Sequence, residues 1–358
     1  MNMIDLTLTP VHKALNAKMV DYAGYNMPVQ YEGVIAEHLA VRNNVGVFDV
    51  SHMGEIFISG DNAEEFLQYI TSNDVSKLFK GRVQYSCLPN SDKGIVDDIL
   101  VYKIDNNSFL LVVNASNIEK DLAWLNTNNS FGCKIDNKSN SYSLLAVQGP
   151  KSLDLLNKLS DEALNEIEYY NFIIGSISGI DNVIISRTGY TGELGFELYV
   201  KNENALDLWN SLFSLEIDLK PIGLAARNTL RLEKGFCLYG NDIDESTSPL
   251  EANLGWITKL NTKFINSEFL TNQKSSGLEK KLVGFEVLDR GIARTGYEVY
   301  CSNNNRIGIV TSGSMSPSLN KAIGMAYVNT KHIIIGNNIL IKVRNKFLNS
   351  KIVETPFL

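Results

Sequence analysis

Three stretches of the chain gather residue types that do chemistry. Asp97-Asp98 open the apolar run Val96–Ile104. Successive side chains of a strand point to opposite faces, so only Asp98 joins Leu100 and Tyr102 on one face. A carboxylate among apolar residues is a candidate acid with a perturbed pKa, or a partner for a cation. The plainer alternative is an exposed strand end carrying both carboxylates. The second stretch is Ser186-Arg-Thr-Gly-Tyr-Thr-Gly-Glu-Leu-Gly-Phe-Glu197, in which three glycines within seven residues make a tight loop. The loop runs into a strand on which Glu197 shares a face with Tyr199. A carboxylate buried bare costs several kcal/mol, so Glu197 needs either a ligand offering two adjacent N–H donors or a structural partner such as Arg187. The third stretch, Gly223–Glu233, reads as a helix on which Arg227 and Arg231, four apart, share a stripe. Two guanidiniums there suit a carboxylate or carbonyl-bearing ligand, although a solvated helix face explains them equally. Together the stretches point to a flat, polar, nitrogen-rich small molecule without naming it.

Other chemistries fall away. Cys87, Cys133, Cys237 and Cys301 lie far apart with no C-x-x-C pair, and His12, His38, His52 and His332 are as scattered; neither a disulfide framework nor a metal signature is formed. There is no P-loop and no G-x-S-x-G elbow, and the glycines of 189–195 lack dinucleotide-loop spacing. Against 33 Lys and Arg stand 40 Asp and Glu, a net charge of −7, which argues against a nucleic-acid or anionic-membrane coat. The apolar runs fall well short of the roughly 20 residues that span a bilayer. The opening Met1-Asn2-Met3-Ile4-Asp5 lacks the layout of a signal or transit peptide, so the expected location is a bacterial cytoplasm.

These residues need elements to position them. From about Gly33 to Leu270 short strands alternate with helices. Strands are predicted at Gly54–Ser59, Val96–Ile104, Phe109–Asn114, Ser143–Val147, Val183–Ser186 and Phe196–Val200. Helices are predicted at Ala63–Ile70, Ile118–Leu125, after Pro150, at Ala205–Leu215 and at Gly223–Glu233. Two α+β units of similar size satisfy this pattern. The polar stretch Thr271–Glu279 reads as a linker. Beyond it come closely spaced strands at Leu282–Val287, Gly296–Tyr300, Ile307–Thr311, Ile323–Val328, Ile333–Ile335, Ile339–Val343 and Lys351–Val353, the pattern of a small barrel or sandwich.

Several strings, in order across nearly the whole chain, carry a resemblance. They are Thr9-Pro10-Val-His-Lys, Ala17-Lys-Met-Val-Asp-Tyr-Ala-Gly-Tyr-Asn-Met-Pro-Val-Gln-Tyr31, Val47-Phe-Asp-Val-Ser-His-Met-Gly-Glu55, the Asp97-Asp98 strand, Arg187-Thr-Gly-Tyr-Thr-Gly-Glu193 and Ser312-Gly-Ser-Met-Ser-Pro-Ser318. The chain resembles the glycine cleavage system T-protein family, the aminomethyltransferases. The resemblance implies an α+β fold: two ferredoxin-like subdomains plus a C-terminal all-β barrel, in a cloverleaf around a central folate site. It implies a folate-binding region over 1–272 and a barrel domain over 273–358. It also implies the reaction, in which the aminomethyl carbon on the lipoyl arm of the H protein passes to tetrahydrofolate. That transfer gives 5,10-methylenetetrahydrofolate, ammonia and a dihydrolipoyl arm. Partners would be the lipoylated H protein, with the P and L proteins in the same system, and no metal, nucleic acid or membrane.

Carried onto this sequence, the resemblance makes Glu197 the acceptor of the pterin's adjacent ring N–H and amino group. It places Asp98, with Asp97 as the less favoured substitute, near folate N5 and N10, orienting the nucleophilic nitrogen and stabilising the cation that forms as ammonia leaves. Arg227 matches the substrate-contacting arginine, while Tyr85, Tyr102, Asn114, Tyr170 and Tyr190, with Met53, match positions lining the pocket. Two departures stand out: Asn228 replaces the usual Asp after the arginine, and the tail ends at Pro356-Phe357-Leu358. Alternatives on the same scaffold are a folate-dependent demethylase of a small methylated compound and a non-enzymatic folate-binding factor for iron–sulfur maturation. For the latter, Lys234-Gly-Phe-Cys-Leu-Tyr-Gly-Asn has Cys237 displaced and no Gln, so Cys237 reads as a packed core thiol.

Overall fold

The computed structural model describes residues 3–358. They pack as two compact units, each discontinuous in sequence. The first comprises the described residues up to Phe66, with Val75–Tyr85 and Ile99–Asn228; the second comprises Leu67–Asp74, Ser86–Asp98 and Thr229–Leu358.

The first unit is built on a six-stranded sheet in the spatial order Phe172–Ile177, Ile180–Ser186, Gly195–Lys201, Tyr142–Gln148, Val45–Asp49 and Leu219–Pro221. Alternation along these strands sorts their side chains. Leu145, Val147, Ile185, Phe196 and Leu198 enter a core with Leu208, Trp209 and Leu212 of the helix Ala205–Phe213. That helix buries Ala205, Leu208, Trp209 and Leu212, the one-sided stripe of an amphipathic helix. Each large apolar side chain so buried is worth roughly 1.5–3 kcal/mol. The opposite face of the sheet therefore carries Ser186, Glu197 and Tyr199, with Ser186 and Ala146 directly beside Glu197 in the ladder.

A second sheet runs Val83–Pro89, Ile95–Asp105, Ser108–Val113, Gly54–Ser59 and Lys134–Asn137 in spatial order. Leu100 and Glu55 both sit opposite Val112, so these three form one row across the sheet, and Tyr102 shares their face. Within the first unit the two faces meet where the Tyr102 hydroxyl lies 2.9 Å from that of Tyr199. A smaller three-stranded sheet uses Ile4–Asp5, Lys18–Tyr22 and Tyr25–Gln30.

The second unit contains a closed six-stranded barrel ordered Lys280–Val287, Lys321–Asn329, Arg306–Ser316, Glu298–Tyr300, Asn338–Val343 and Lys346–Val353. Phe285, Val299, Val310, Ala326, Val328, Ile341 and Ile352 fill it. Gly324 is required where strands come close, since a Cβ there would lie 2.4 Å from the Phe285 ring and 2.5 Å from the Ser312 carbonyl.

Two expectations fail. The polar stretch read as a linker is largely the helix Ser267–Ser276; its buried face is little more than Leu270, too narrow a stripe to show in the pattern. Ile333–Ile335 is no strand, because Ile334 and Ile335 are exposed in a turn after the short 3-10 helix Thr330–His332. Among the described residues no helix is long and apolar enough to cross a membrane.

Candidate active site

Glu197 lies on the face of the first sheet turned away from the helix-packed core, partly reached by solvent but crowded closely by protein. The Thr188 hydroxyl donates to its Oε2; among the described residues nothing donates to Oε1. Thr188 Oγ1 is itself 2.9 Å from Ser186 Oγ and 3.3 Å from the Tyr102 hydroxyl, which continues to Tyr199. Burial pushes the Glu197 carboxyl above its usual range, while the Thr188 hydroxyl and the Arg227 guanidinium pull it back. Burial, reinforced by the Glu197 charge, raises the Tyr102 phenol.

The glycine loop is shaped around Gln148. The Gln148 amide donates to the Thr188 carbonyl at 3.1 Å and accepts from the Thr191 hydroxyl at 2.8 Å. A Cβ on Gly189 would sit 2.1 Å from Gln148 Oε1, and one on Gly195 2.4 Å from its Nε2. Both positions are glycine because the loop wraps a side chain. Arg42 holds the loop's far side, donating to the Thr191 carbonyl at 2.7 Å and to Glu193 at 2.8 Å. Arg187 donates to the Ile167 carbonyl at 2.7 Å, so it does not form the structural pair with Glu197 that the sequence allowed.

Arg227 is presented by the helix Leu224–Glu233. The start of that helix is fixed by the buried Glu37 carboxylate, which accepts the backbone N–H groups of Tyr31, Gly33 and Gly223 at 2.7, 2.9 and 2.7 Å. The Arg227 guanidinium lies over the Tyr190 ring, 4.3 Å from its centroid, a cation–π contact. Among the described residues no carboxylate reaches ion-pairing distance of it. Its charge also reaches the buried His52, whose pKa is lowered to about 3, first by burial and then by Arg227. His52 is thus a neutral ring, packed edge-on against Tyr22 and Tyr25, and the half-buried Met53 follows it.

Arg231 does not share Arg227's role. It is 2% exposed in the second unit, with Nη1 2.6 Å from Asp242 Oδ2 and Nη2 2.9 Å from Ser312 Oγ. The four-residue spacing placed the two arginines on one stripe, but a carboxylate eleven residues on takes Arg231 into a buried ion pair.

Asp97 and Asp98 belong to the second unit. Asp97 is wholly buried and Asp98 half-buried, as alternation requires. Their strand is anchored at its start: the Tyr239 hydroxyl donates to the Ile95 carbonyl at 2.8 Å, and Ile95 N–H to the Asp244 carbonyl at 3.0 Å. A Cβ on Gly94 would fall 1.9 Å from the Glu245 carbonyl. Burial, with the Asp98 charge next, pushes the Cys87 thiol well up; burial, Asp242 and Asp98 do the same to Cys237. Cys237 is buried, its Sγ 3.9 Å from the Ala252 carbonyl.

In the first unit the structure thus links Glu197, Tyr102, Arg227 and Tyr190, while Asp97 and Asp98 lie in the second. Tyr85, Asn114 and Tyr170 are half-buried in the first unit, and Tyr170 takes a left-handed φ of 62° between backbone bonds to Val83 and Arg187. Tyr102 is wholly buried and touches Glu197's partner Thr188 rather than open space. Sequence reasoning passed over Thr188, Gln148, His52 and Glu55. The last is 1% exposed with neither carboxyl oxygen hydrogen-bonded, and burial alone raises its pKa well above the usual value. Among the described residues no group of three or more His, Cys, Asp or Glu is placed to hold a metal ion.

Two family models match the chain: the GCVT N-terminal domain over residues 8–262 and the glycine cleavage T-protein C-terminal barrel domain over 280–358. An aminomethyltransferase of Flavobacterium psychrophilum is 54% identical, covering 99% of each chain, and one of Bacteroides fragilis is 53% identical, covering 98% of each. The crystal structure of glycine cleavage system aminomethyltransferase T from Bartonella henselae, 33% identical, superposes with a TM-score of 0.93 over 99% of this chain and 98% of that one. With the closed barrel, the matched length and the level of identity in agreement, the chain belongs to the glycine cleavage T-protein family of aminomethyltransferases.

Proposed function

We propose that the chain carries out aminomethyl transfer from a lipoyl-borne aminomethyl group of an H protein to tetrahydrofolate, releasing ammonia, with Glu197, Arg227 and Asp98 as its working residues. The observation that carries this reading is the Glu197 carboxylate, one oxygen held by Thr188 and the other unclaimed among the described residues. That oxygen, at a partly accessible position, fits the adjacent N–H donors of a pterin edge. Tetrahydrofolate, when bound, supplies the nitrogens that take up the one-carbon unit.

The chain's residues divide the remaining work. Glu197 accepts the pterin donors and fixes the ring's orientation. Arg227, braced by Tyr190, offers guanidinium N–H groups to a carbonyl or carboxylate of the ligand. Tyr85, Asn114, Tyr170 and Met53 supply walls and polar contacts. Asp98 rather than Asp97 is read as facing the reacting nitrogens, being half-buried where Asp97 is wholly buried. Its negative charge stabilises the positive charge that develops as ammonia departs. The folate-binding region is read as 1–272, the barrel as 273–358, and the setting as the cytoplasm of a bacterium with P and L proteins at work beside it.

The test is to incubate the protein with aminomethylated H protein and tetrahydrofolate and to measure ammonia. Folate-dependent release is expected. Asp98→Asn should cut turnover far more than folate affinity, and equal loss of both would remove Asp98 from the chemistry. No folate-dependent release at all would leave a folate binder without this activity.

A further inference from the structure

We infer that Thr188 is a positioning residue for Glu197, holding its Oε2 so that Oε1 faces the ligand as an ionised acceptor; this rests on the reading of Glu197 given above. Thr188 is 2% exposed and sits in the loop just before the Glu197 strand. A threonine hydroxyl has one proton, and here it goes to Glu197 Oε2. Its contact with the Tyr102 hydroxyl at 3.3 Å must then be donated to it, while Ser186 Oγ lies 2.9 Å away. Tyr102 in turn has Ser186 donating to its hydroxyl at 3.2 Å and Tyr199 at 2.9 Å. The hydroxyl chain Tyr199, Tyr102, Thr188 is thus polarised toward the carboxylate, and each link strengthens the next.

Two consequences separate this arrangement from ordinary packing. The first is geometric: a carboxylate held by one oxygen has its rotation about the last side-chain bond fixed, so the second oxygen stays aimed. The second is electrostatic. The groups whose fields reach Glu197 are Arg227 from its helix, Tyr102 and Tyr199 from the two facing strands, and Tyr169 from the preceding loop. Of these only Arg227 is charged near neutral pH, and His52 beside it is neutral. Burial favours the protonated acid; the Thr188 hydroxyl and Arg227 oppose it. A protonated Glu197 would present a donor where the ligand also donates. Folate affinity therefore falls as pH drops through the Glu197 pKa, and removing the Thr188 hydroxyl raises the pH at which it falls.

The experiment is calorimetric titration of the full-length protein with 5-formyltetrahydrofolate, an air-stable reduced folate, from mildly acidic to neutral pH. Wild type, T188V, T188S, T188C and E197Q are compared. A hydrogen bond to a charged group of ordinary strength corresponds to an upward move of the acid limb by about one pH unit in T188V. Below that limb T188V should bind about tenfold more weakly than wild type. T188S should restore the wild-type limb, and T188C, a weak donor of similar size, should fall between. A T188V limb that superimposes on wild type, or a loss of affinity equal at every pH, overturns the inference. If T188V does not fold, a T188C limb coinciding with that of T188S overturns it. E197Q should be weak and lack the acid limb. Wild-type affinity in E197Q would instead remove the reading of Glu197 as the pterin acceptor, whatever the Thr188 variants do.

Discussion

Asp242→Asn tests whether Arg231 is a structural clasp. Asp242 Oδ2 lies 2.6 Å from Arg231 Nη1 and accepts the Leu238 N–H at 2.9 Å, while Oδ1 accepts the Thr311 hydroxyl at 2.5 Å. The two side chains are 2% and 0% exposed, so no water replaces a lost partner. The amide substitution keeps the shape but removes the counter-charge and presents two N–H donors where three donors already converge. Leaving a buried guanidinium without its counter-ion costs about 3–5 kcal/mol. The lower end applies here, since Phe236 O at 3.0 Å and Ser312 Oγ at 2.9 Å remain. With two units the chain need not unfold in one step, so amide hydrogen exchange in the barrel strands is the assay of choice. Protection there should fall by about two orders of magnitude or more. R231M/D242L, which replaces the pair by apolar groups, should recover much of it. Unchanged protection in D242N, together with a loss of folate affinity in R231M/D242L, would refute the clasp and return Arg231 to the ligand.

Two further outcomes follow from the first unit. Glu55, buried and without hydrogen bonds, has its folded-state pKa raised well above 4.5, so the folded protein holds a proton that the unfolded chain releases. Wild-type stability should then fall relative to Glu55→Gln by about 1.4 kcal/mol per pH unit as pH rises above the unfolded value, until the folded-state pKa is reached. Urea midpoints that stay parallel across that range would show Glu55 to be hydrated or paired. Gly189→Ala places a methyl 2.1 Å from Gln148 Oε1, so either the hydrogen-bonded Gln148 side chain or the loop carrying Thr188 must shift; titration should show weaker folate binding, and wild-type affinity would show that Gln148 moves aside without disturbing the loop.

Strand alternation made the site's faces legible. Glu197 and Tyr199 share one face, and Asp98 and Asp97 differ in exposure as the period of two requires. What remained hidden depends on contacts far along the chain. Arg231 looked like Arg227 because helix spacing reports which side chains share a stripe and says nothing of Ser312, 81 residues away. Thr188 looked like loop filler between glycines, since its partner is fixed only by a sharp return into the next strand. The hairpin of Lys18–Tyr22 and Tyr25–Gln30 turns at Ala23 and Gly24 with φ of 53° and 85°. An alanine in that left-handed region is uncommon, and the usual Asn-Gly signal is missing.

Glu55 and Glu197 carry the same functional group in the same unit, and burial raises both pKa values. What separates them is what opposes burial. At Glu197 a donated hydroxyl and a guanidinium favour the anion; at Glu55 nothing does, and both oxygens lack partners. Desolvation alone selects the neutral acid. Glu197 sits where solvent, and hence a ligand, can reach it, whereas Glu55 is 1% exposed. Neighbours rather than residue type separate the two: Glu197 is able to accept hydrogen bonds from a ligand, whereas burial disfavours a charge on Glu55. Ionised, Glu55 would raise the Tyr199 phenol further. A bare carboxyl in the core is costly as an anion, and burial favours its protonated form.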